Sequence, residues 1–223
     1  MRVLIFLIFV LAACGRPLTP AEKNFATQLH GDTIDTSRIR AIRGSPVGSF
    51  TFQRPKRPRL ACRELILPEP TEDLVTVTPV AMVLHNKVFY ARDWYLDDFM
   101  QNYPERLDLL TTMLFAHEIT HVWQWQNRAK TGYSPFRAAR EHKGGADPYL
   151  YDINTKASFL DFGYEQQASI VEEFVCCAAL DPEGSRTQRL ESLISETMPM
   201  QDLKIPDKIL IPWKDAKLNG ICS

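Results

Sequence analysis

The sequence has no excess of basic residues and no apolar run long enough to cross a membrane. Its 223 residues include 26 Lys and Arg against 27 Asp and Glu, which gives a formal net charge of −1. Proteins that bind nucleic acid through phosphate contacts need a surplus of Lys and Arg, so no nucleic-acid partner is expected. The longest apolar run, residues 3–13, is shorter than the roughly 20 residues of a membrane-spanning helix. Repeats and low-complexity segments are also absent, and 45% hydrophobic with 24% charged residues is typical of a globular protein.

The N-terminus has the pattern of an export signal that ends at a cysteine. The apolar run 3–13 follows a single positive charge, as in a secretory signal peptide. Residues 11–14 read LAAC, which looks like the lipobox of bacterial lipoproteins. This resemblance implies that residues 1–13 are a signal peptide cleaved before Cys14, and that a lipid on Cys14 anchors the protein in the membrane. Because Gly15 rather than Asp follows, we expect the outer membrane, facing the periplasm or the exterior; an ordinary secretory signal with an accidental cysteine is the alternative.

Four further cysteines favour disulfide bonds in an exported protein: Cys62, Cys176, Cys177 and Cys222. Four cysteines allow three pairings. A bond between the neighbours Cys176 and Cys177 is disfavoured, because a ring between adjacent residues is strained and both lie in a helical pattern. Cys62 and Cys222 would then bond one member each, and the sequence does not select which. The alternative is that one cysteine of the adjacent pair is a free thiol in the core.

Hydrophobic periodicity and helix-start signals predict an α+β fold, with no linker that would divide it into two domains. Thr19, Pro20 and Glu22 form the pattern of a capping box with proline at the first helical position. Apolar residues at helical spacing predict a long helix over residues 104–128. The other predicted elements are a strand at 38–42, a hairpin over 80–90, and helices at 164–180 and 185–197.

Two segments show no regular pattern. Residues 44–60 are rich in proline and arginine, and we predict an irregular excursion there. Residues 131–161 form a glycine-rich and aromatic-rich stretch between two predicted helices. We therefore predict a loop at 131–161 that acts as a lid over an active site.

Residues 117–121 read HEITH and lie within the long predicted helix. The four-residue spacing places His117 and His121 on one face, where both imidazoles can bind a single metal ion. Glu118 projects beside them, and there a carboxylate can hold and deprotonate a water as a general base. The pattern therefore indicates a catalytic zinc (Zn²⁺) site, and the alternative is a pair of hydrogen-bonded histidines in the core.

A catalytic zinc usually has three protein ligands and one open position, so a third ligand must come from another part of the chain. A third histidine shortly after the motif is excluded, because Gln124 and Asn127 occupy the positions of that pattern. Glu165 is preferred, since at the first turn of the helix 164–180 its carboxylate would point back toward the histidines. Glu172 lies two turns later, and we interpret it as a partner for a histidine ring N–H, or as an alternative ligand.

The transition state of hydrolysis also needs a donor for the developing oxyanion, commonly Tyr or His. The loop 131–161 offers several such side chains, and their spacing does not select one. The candidates are Tyr133, Tyr149, Tyr151 and His142. Asp161 and His142 are the remaining alternatives for the third ligand.

The segment HEITHVWQ at 117–124, with EQQA at 165–168, resembles the gluzincin-type zinc metallopeptidases. More narrowly, it resembles small bacterial HExxHVxQ proteins found beside Vgr and contractile-injection genes. The resemblance implies a zincin-like minimal metallopeptidase domain over residues 14–223, in which a small β-sheet and hairpin pack on an active-site helix and a following Glu-bearing helix. It also implies that His117, His121 and Glu165 bind zinc, that Glu118 is the catalytic base, and that strand 88–90 lies near the edge where zincins dock an extended substrate.

These patterns lead us to expect a lipid-anchored zinc metallohydrolase, most simply a metallopeptidase acting on a peptide or protein. The alternative is a catalytically silent, metal-binding lipoprotein that binds a partner in the cell envelope or in an injection assembly. Glu118 favours the enzyme, because a purely structural site has no use for that carboxylate. A fourth protein ligand, such as His142 or a cysteine, would favour the silent protein. A lipoprotein without metal would require the HEITH pattern to be accidental.

Overall fold

The computed structural model describes residues 15–45, 51–142, 147–155 and 157–223. The predicted signal peptide at 1–13 and the predicted lipid site at Cys14 lie outside the described residues. Within the described ranges, no helix combines the length and the apolar character needed to span a bilayer.

The described residues form an α+β fold, as predicted. The strands are β1 (Arg16–Pro17), β2 (Arg40–Arg43), β3 (Phe52–Pro55), β4 (Leu74–Val77), β5 (Ala81–Leu84), β6 (Lys87–Tyr90), β7 (Arg106–Asp108) and β8 (Lys208–Leu210). The helices are α1 (Pro20–His30), α2 (Cys62–Leu65), α3 (Leu109–Gln126), α4 (Arg128–Thr131), α5 (Pro135–Glu141), α6 (Tyr164–Leu180) and α7 (Ser185–Ser195).

The largest sheet has the strand order β1-β2-β6-β5. β6 lies inside it, parallel to β2 and antiparallel to β5, which forms one edge. The three residues Val88, Phe89 and Tyr90 of β6 are buried, as expected for a strand inside a sheet that is covered by helices. The predicted hairpin is therefore confirmed, and its last strand lies next to the edge strand β5.

Helices α3 and α6 pack along each other and form the centre of the molecule. α3 is buried on most of its surface, from Leu109 to Gln124, and α6 is also buried on most of its surface, including Glu165, Ala168 and Glu172. A helix that is buried almost all round belongs to the core of a domain. Polar side chains on the facing sides of α3 and α6 are therefore held in a dry environment.

Two disulfide bonds fix α6 to distant segments. Cys62 is bonded to Cys176, and Cys177 is bonded to Cys222. The prediction that each member of the adjacent pair bonds a distant cysteine is confirmed, and the alternative of a free thiol is wrong. Cys62 and Cys176 are 114 positions apart in sequence, and Cys177 and Cys222 are 45 positions apart, so each bond closes a long loop of the unfolded chain.

The long helix is shorter at its start than predicted. Residues 106–108 are not helical but form β7, which pairs in parallel with β8 from the C-terminal tail. Asp108 then caps the helix, because its carboxylate accepts the N–H of Thr111 at 3.2 Å. The pairing of β7 with β8 joins segments about 100 residues apart in sequence, which local periodicity cannot reveal. At the N-terminus, in contrast, the predicted capping box of Thr19 and Glu22 is confirmed.

The two segments without a regular pattern contain structure that we did not predict. Within 44–60, residues 52–55 form β3, which pairs antiparallel with β4, so this segment is not irregular throughout. Within 131–161, Ser134 caps helix α5, and residues 159–161 form a 3-10 turn. The predicted loop is thus partly helical. Smaller differences are the strand at 38–42, which is found at Arg40–Arg43, and the helix at 185–197, which ends at Ser195.

Candidate metal centre

Three potential ligand atoms from α3 and α6 converge on one point. His117 Nε2 and His121 Nε2 each lie 3.2 Å from Glu165 Oε2, and the two nitrogens are 3.3 Å apart. All three side chains are buried. The structure therefore brings together the three residues that the sequence singled out as metal ligands.

The positions of these atoms follow from the two helices that carry them. One turn of α3 separates the two histidines, which places their rings on the side facing α6. Glu165 is the second residue of α6, and Glu141 of α5 holds this helix start: its carboxylate accepts the N–H groups of Tyr164 at 2.8 Å and Glu165 at 3.0 Å. A carboxylate at a helix N-terminus satisfies free N–H groups and favours the helix dipole. Glu141 therefore fixes where Glu165 leaves the backbone.

The protonation of His121 can be derived from a chain of hydrogen bonds that starts at a backbone carbonyl. The Phe162 carbonyl can only accept, so Gln167 donates to it through Nε2 (2.8 Å) and presents its own oxygen to Gln124. Gln124 Nε2 donates to this oxygen and to the Tyr164 carbonyl, both at 2.9 Å. Gln124 Oε1 therefore accepts from His121 Nδ1 at 2.8 Å. With the proton on Nδ1, neutral His121 presents a lone pair at Nε2.

The same conclusion holds for His117, whose partner is a carboxylate. Glu172 Oε2 accepts the Nδ1–H of His117 at 3.0 Å, and Arg63 Nη1 lies 3.0 Å from Glu172 Oε1. Burial alone would raise the pKa of Glu172, but the Arg63 guanidinium and the His117 hydrogen bond lower it below its usual value. Glu172 is therefore ionised and acts as an acceptor. Neutral His117 then also presents its lone pair at Nε2, as predicted for a histidine whose other nitrogen is held by a carboxylate.

The two Nε2 atoms and Glu165 Oε2 thus face one another with lone pairs and no proton between them, so this arrangement favours a positive charge at their centre. In the protein without metal, a proton supplies that charge. Burial would lower the pKa of His117, but hydrogen bonds to Glu165 and Glu172 raise it to about 10. The pKa of His121 is also raised despite burial, through the charge of Glu165, while the histidines hold the pKa of Glu165 well below its usual range.

The donor set fits zinc. Two imidazole nitrogens and one carboxylate oxygen are zinc ligands, and tetrahedral bonds of about 2.0–2.1 Å place neighbouring ligand atoms about 3.3–3.4 Å apart. The three separations of 3.2, 3.2 and 3.3 Å match this spacing. Three protein ligands also leave one tetrahedral position open, as in catalytic zinc sites.

Glu118 lies next to the three converging side chains. It is buried, and burial raises the pKa of its carboxyl group; His117 and His121 oppose this increase, while the negative charges of Glu165 and Glu172 add to it. Burial raises the pKa of Tyr90 in β6, and the negative charge of Glu118 adds to this increase, so Glu118 lies within electrostatic range of the sheet. Among the residues that the structure describes, no donor hydrogen-bonds to the Glu118 carboxylate, so this group can hold a water.

Two of the tyrosines line the metal centre. The Tyr149 ring lies 5.9 Å from the His117 ring, and the Tyr133 ring lies 6.4 Å from the His121 ring, measured between centroids. Burial and the charges of nearby glutamates raise the pKa of both hydroxyl groups, so both remain protonated donors. The structure therefore keeps Tyr149 and Tyr133 as candidates for the oxyanion donor.

His142 contacts the metal centre from the outside. Its Nε2 lies 3.0 Å from Glu165 Oε1, the oxygen that does not face His117 and His121. It therefore orients Glu165 and does not join the three converging atoms. Cysteines do not provide a fourth ligand either, because Cys62, Cys176, Cys177 and Cys222 are all in disulfide bonds.

Tyr151 and Asp161, two other candidates, are directed elsewhere. The Tyr151 hydroxyl donates to Glu173, and Arg186 binds the same carboxylate through two hydrogen bonds of 2.7 and 2.9 Å. Asp161 accepts the N–H of Ser158 and closes a 3-10 turn. Tyr151, one of the candidates for the oxyanion donor, is therefore held away from the converging atoms, because its hydroxyl binds the buried Glu173–Arg186 ion pair.

Three residues that position the ligands were not predicted: Gln124, Glu141 and Arg63. Gln124 follows His121 by three residues and so lies on the same helix face, a spacing that could have identified it. Glu141 and Arg63 reach the site from separate segments, and no sequence pattern indicates their contacts.

No family model matches the chain. The chain is 26% identical over 164 residues to the type VI secretion system spike protein VgrG2b of Pseudomonas aeruginosa, an alignment that covers 73% of this chain and 13% of that protein. The chain thus spans only a small part of the length of this curated relative.

A solved structure, the effector domain of Pseudomonas aeruginosa VgrG2b, has the same fold. The TM-score is 0.53 with 22% sequence identity, and the match covers 84% of this chain and 88% of that one. These similarities agree with the expected resemblance to Vgr-associated proteins.

Proposed function

We propose that the protein is a zinc-dependent metallohydrolase of the gluzincin type with a zincin-like fold, and that it cleaves peptide bonds. The observation that carries the proposal is the convergence of the His117, His121 and Glu165 donor atoms at 3.2–3.3 Å beside the buried carboxylate of Glu118. A core that merely satisfied two histidines would give each Nε2 a hydrogen-bond donor or water, not two further electron-pair donors.

His117, His121 and Glu165 would hold the ion, and Glu172, Gln124 and His142 would orient them. When bound at such a site, zinc polarises the scissile carbonyl and lowers the pKa of a water. The hydrogen bonds at Nδ1 of both histidines keep each Nε2 available as a ligand.

Glu118 has the role of general base. It takes a proton from the attacking water and passes it to the nitrogen of the leaving amine. Burial raises its pKa toward the working pH, which makes both the uptake and the release of the proton feasible. The protonated hydroxyl of Tyr149 or Tyr133 donates to the oxyanion as negative charge develops there.

The similarity to the VgrG2b effector domain supports an effector role associated with a secretion system. We propose that the protein acts on a peptide or protein of the cell envelope, and that lipid on Cys14 anchors it to the membrane, facing the periplasm or the exterior. A second candidate function follows from the match to a spike protein. In it, the domain is catalytically silent and binds a protein of the injection assembly.

The test compares the parent protein with Glu118→Gln. Zinc per chain is measured by elemental mass spectrometry, and cleavage is measured on a mixture of quenched fluorescent peptides. We expect one zinc per chain in both proteins and cleavage only by the parent, because the amide keeps the size of Glu118 but cannot accept the proton. Equal cleavage by the variant would exclude Glu118 as the base, and a parent without zinc after reconstitution would exclude the metalloenzyme.

A hydroxamate separates the enzyme from the silent assembly protein. Hydroxamates bind zinc through an open coordination position, so an enzyme site should bind the compound in the parent and in Glu118→Gln. A site that is closed by a further ligand should bind it in neither. Calorimetry with zinc-loaded protein measures this difference directly.

A further inference from the structure

Helix α2 lies against α6 beside the metal centre and is attached there at its first residue. Cys62 is bonded to Cys176, and the N–H of Cys62 donates to Glu173 Oε1 at 3.2 Å. α2 has only four residues, too few to be stable by its own hydrogen bonds. Its position therefore depends on the contacts at Cys62.

The residue after Cys62 reaches the metal centre through one intermediate. Arg63 Nη1 lies 3.0 Å from Glu172 Oε1 and 3.3 Å from Oε2, and Glu172 Oε2 lies 3.0 Å from His117 Nδ1. A continuous path of contacts thus leads from the disulfide through Arg63 and Glu172 to a proposed zinc ligand. The sequence does not reveal this path, because Arg63 and Glu172 are 109 residues apart in the chain.

We propose that Arg63 is a positioning residue for the metal centre, and that the Cys62–Cys176 disulfide sets the metal affinity by holding Arg63 against Glu172. The inference rests on the proposed zinc site. It adds a residue and a covalent bond that act on this site from outside it.

The geometry explains why Arg63 matters. The Glu172 side chain is only 7% exposed, and Arg63 contacts both of its oxygens, at 3.0 and 3.3 Å. Arg63 therefore fixes the position of the carboxylate that accepts the Nδ1–H of His117. Without this contact Glu172 would be free to rotate, and the His117 ring would lose the partner that directs its Nε2 toward Glu165.

The disulfide matters because Arg63 cannot hold this contact alone. Its side chain is 41% exposed, and an exposed arginine loses rotamer entropy when it is fixed in one ion pair. Anchoring the preceding residue covalently places the guanidinium near Glu172 before the pair forms. The same ion pair is then made with less loss of conformational freedom.

The second disulfide provides a matched control on the same helix. Cys177 is the next residue of α6, and its bond to Cys222 holds the C-terminal segment, where Cys222 accepts from Arg186 N–H and donates to Asp181. These contacts involve none of the proposed ligands or Glu172, although the Cys177 and Cys222 sulfur atoms lie within 4.8 Å of the Cys62 sulfur. Removing this bond leaves the Cys62–Cys176 bond and the Arg63–Glu172 pair in place, so it should lower stability with little effect on the metal centre.

The first experiment replaces each disulfide in the full-length protein, as Cys62→Ala with Cys176→Ala and as Cys177→Ala with Cys222→Ala. Zinc affinity is measured by competition with a chromophoric chelator, and thermal unfolding is recorded alongside. Both variants should unfold at lower temperature, but only the first should bind zinc about 10- to 100-fold more weakly, as when a partner of a ligand is lost. Equal affinities of the two variants would overturn the proposal.

The second experiment replaces Arg63 itself. Arg63→Met should weaken zinc binding by about 10- to 100-fold, and Arg63→Lys should recover part of the affinity, since it restores the charge. The control is Arg59→Met, because Arg59 lies in the same segment but donates to the Leu67 carbonyl. Arg63→Met with the affinity of the parent, or Arg59→Met as weak as Arg63→Met, would refute a positioning role.

A measurement without metal separates this proposal from the proposed function. In spectra of ¹⁵N-labelled histidine in the metal-free protein, the Nδ1 proton of His117 should exchange slowly in the parent and in the Cys177/Cys222 variant. It should exchange rapidly in Arg63→Met and in the Cys62/Cys176 variant. If the parent bound no zinc, the proposed function would fail, while this spectrum would still decide whether the disulfide and Arg63 position His117. A slow proton in all four proteins would overturn the coupling.

Discussion

Buried histidines lie on two faces of helix α3, and the pKa of histidine is lowered on one face and raised on the other. On one face, His30 of α1 has its Nδ1 3.1 Å from the Ala26 carbonyl and its Nε2 3.2 Å from the Thr120 hydroxyl. Burial lowers its pKa to about 4, although the backbone hydrogen bond opposes the shift. On the other face, the carboxylates of Glu165 and Glu172 overcome burial and raise the pKa of His117 to about 10.

Burial therefore does not distinguish a structural histidine from a site for a cation. His30 and His117 are both buried, and both rings have a partner at each nitrogen. The difference lies in the partners, which are neutral for His30 and anionic for His117. The two environments lie one residue apart on α3, since Thr120 faces His30 and the next residue, His121, faces Glu165.

The largest expected effect comes from removing a negative charge beside His117 and His121, which brings their surroundings closer to the neutral ones of His30. Glu165→Ala removes the carboxylate that both Nε2 atoms approach. If zinc is bound by protein ligands of similar strength, the loss of one should weaken binding by about 10²- to 10³-fold, or about 3–4 kcal/mol. Chelator competition measures this, with Glu183→Ala on the surface as a control. An unchanged affinity would show that Glu165 is not a ligand.

The neutral face predicts a loss of stability in acid. His30 has a folded pKa of about 4, below the ordinary 6.5, so the unfolded chain binds its proton more readily. The contribution of His30 is complete above pH 6.5 and declines as the pH falls toward 4, by up to about 3 kcal/mol. Urea unfolding of the parent and of His30→Gln between pH 7 and 4.5 checks this. The slope of unfolding free energy against pH reports the number of protons taken up on unfolding. This number should be smaller by about one in the variant than in the parent, and parallel slopes would contradict the prediction.

The third effect concerns the carboxylate that holds His117. Glu172→Gln keeps an acceptor for Nδ1 but removes the charge, and it should weaken zinc binding by about 10- to 100-fold, or about 1.4–2.7 kcal/mol. Titration of the variant with zinc by calorimetry gives the value. A variant that binds as tightly as the parent would mean that the charge of Glu172 has no part in holding the ligand.

The smallest effect tests whether the two faces are independent. Thr120→Val removes the hydroxyl opposite His30 and should lower the free energy of unfolding by about 1 kcal/mol, since a buried ring nitrogen loses its partner. Zinc affinity should remain that of the parent, although Thr120 lies next to His121 in sequence. A parallel loss of affinity would show that the faces are coupled through the helix.

Local spacing predicts much of the metal centre. The HEITH pattern specifies that two histidines share a helix face, and the position of Glu165 at a helix start specifies the direction of its carboxylate. Glu172 follows because it lies seven residues later, which is two turns on the same side. Each of these positions depends on the geometry of a single helix, which local spacing specifies, and the three candidate ligand atoms meet in the structure as expected.

The supporting contacts could not be predicted in this way, because they join segments that only the tertiary fold brings together. Arg63 reaches Glu172 from the segment just after residues 44–60, where we predicted an irregular path. Glu141 belongs to α5, a helix within residues 131–161, where we predicted a loop. Tyr151 is a further example. Its spacing in the loop did not distinguish it from Tyr149 or Tyr133, and only the tertiary fold shows that its hydroxyl binds the buried Glu173–Arg186 pair.

The adjacency of Cys176 and Cys177 also brings the two disulfide bonds close together. Consecutive residues of an α-helix point about 100° apart, yet the sulfur atoms of Cys62, Cys177 and Cys222 lie within 4.8 Å of one another. The two disulfides therefore lie side by side at one place on α6. Together they form a single covalent anchor, which ties both α2 and the C-terminal segment to the helix that carries Glu165 and Glu172.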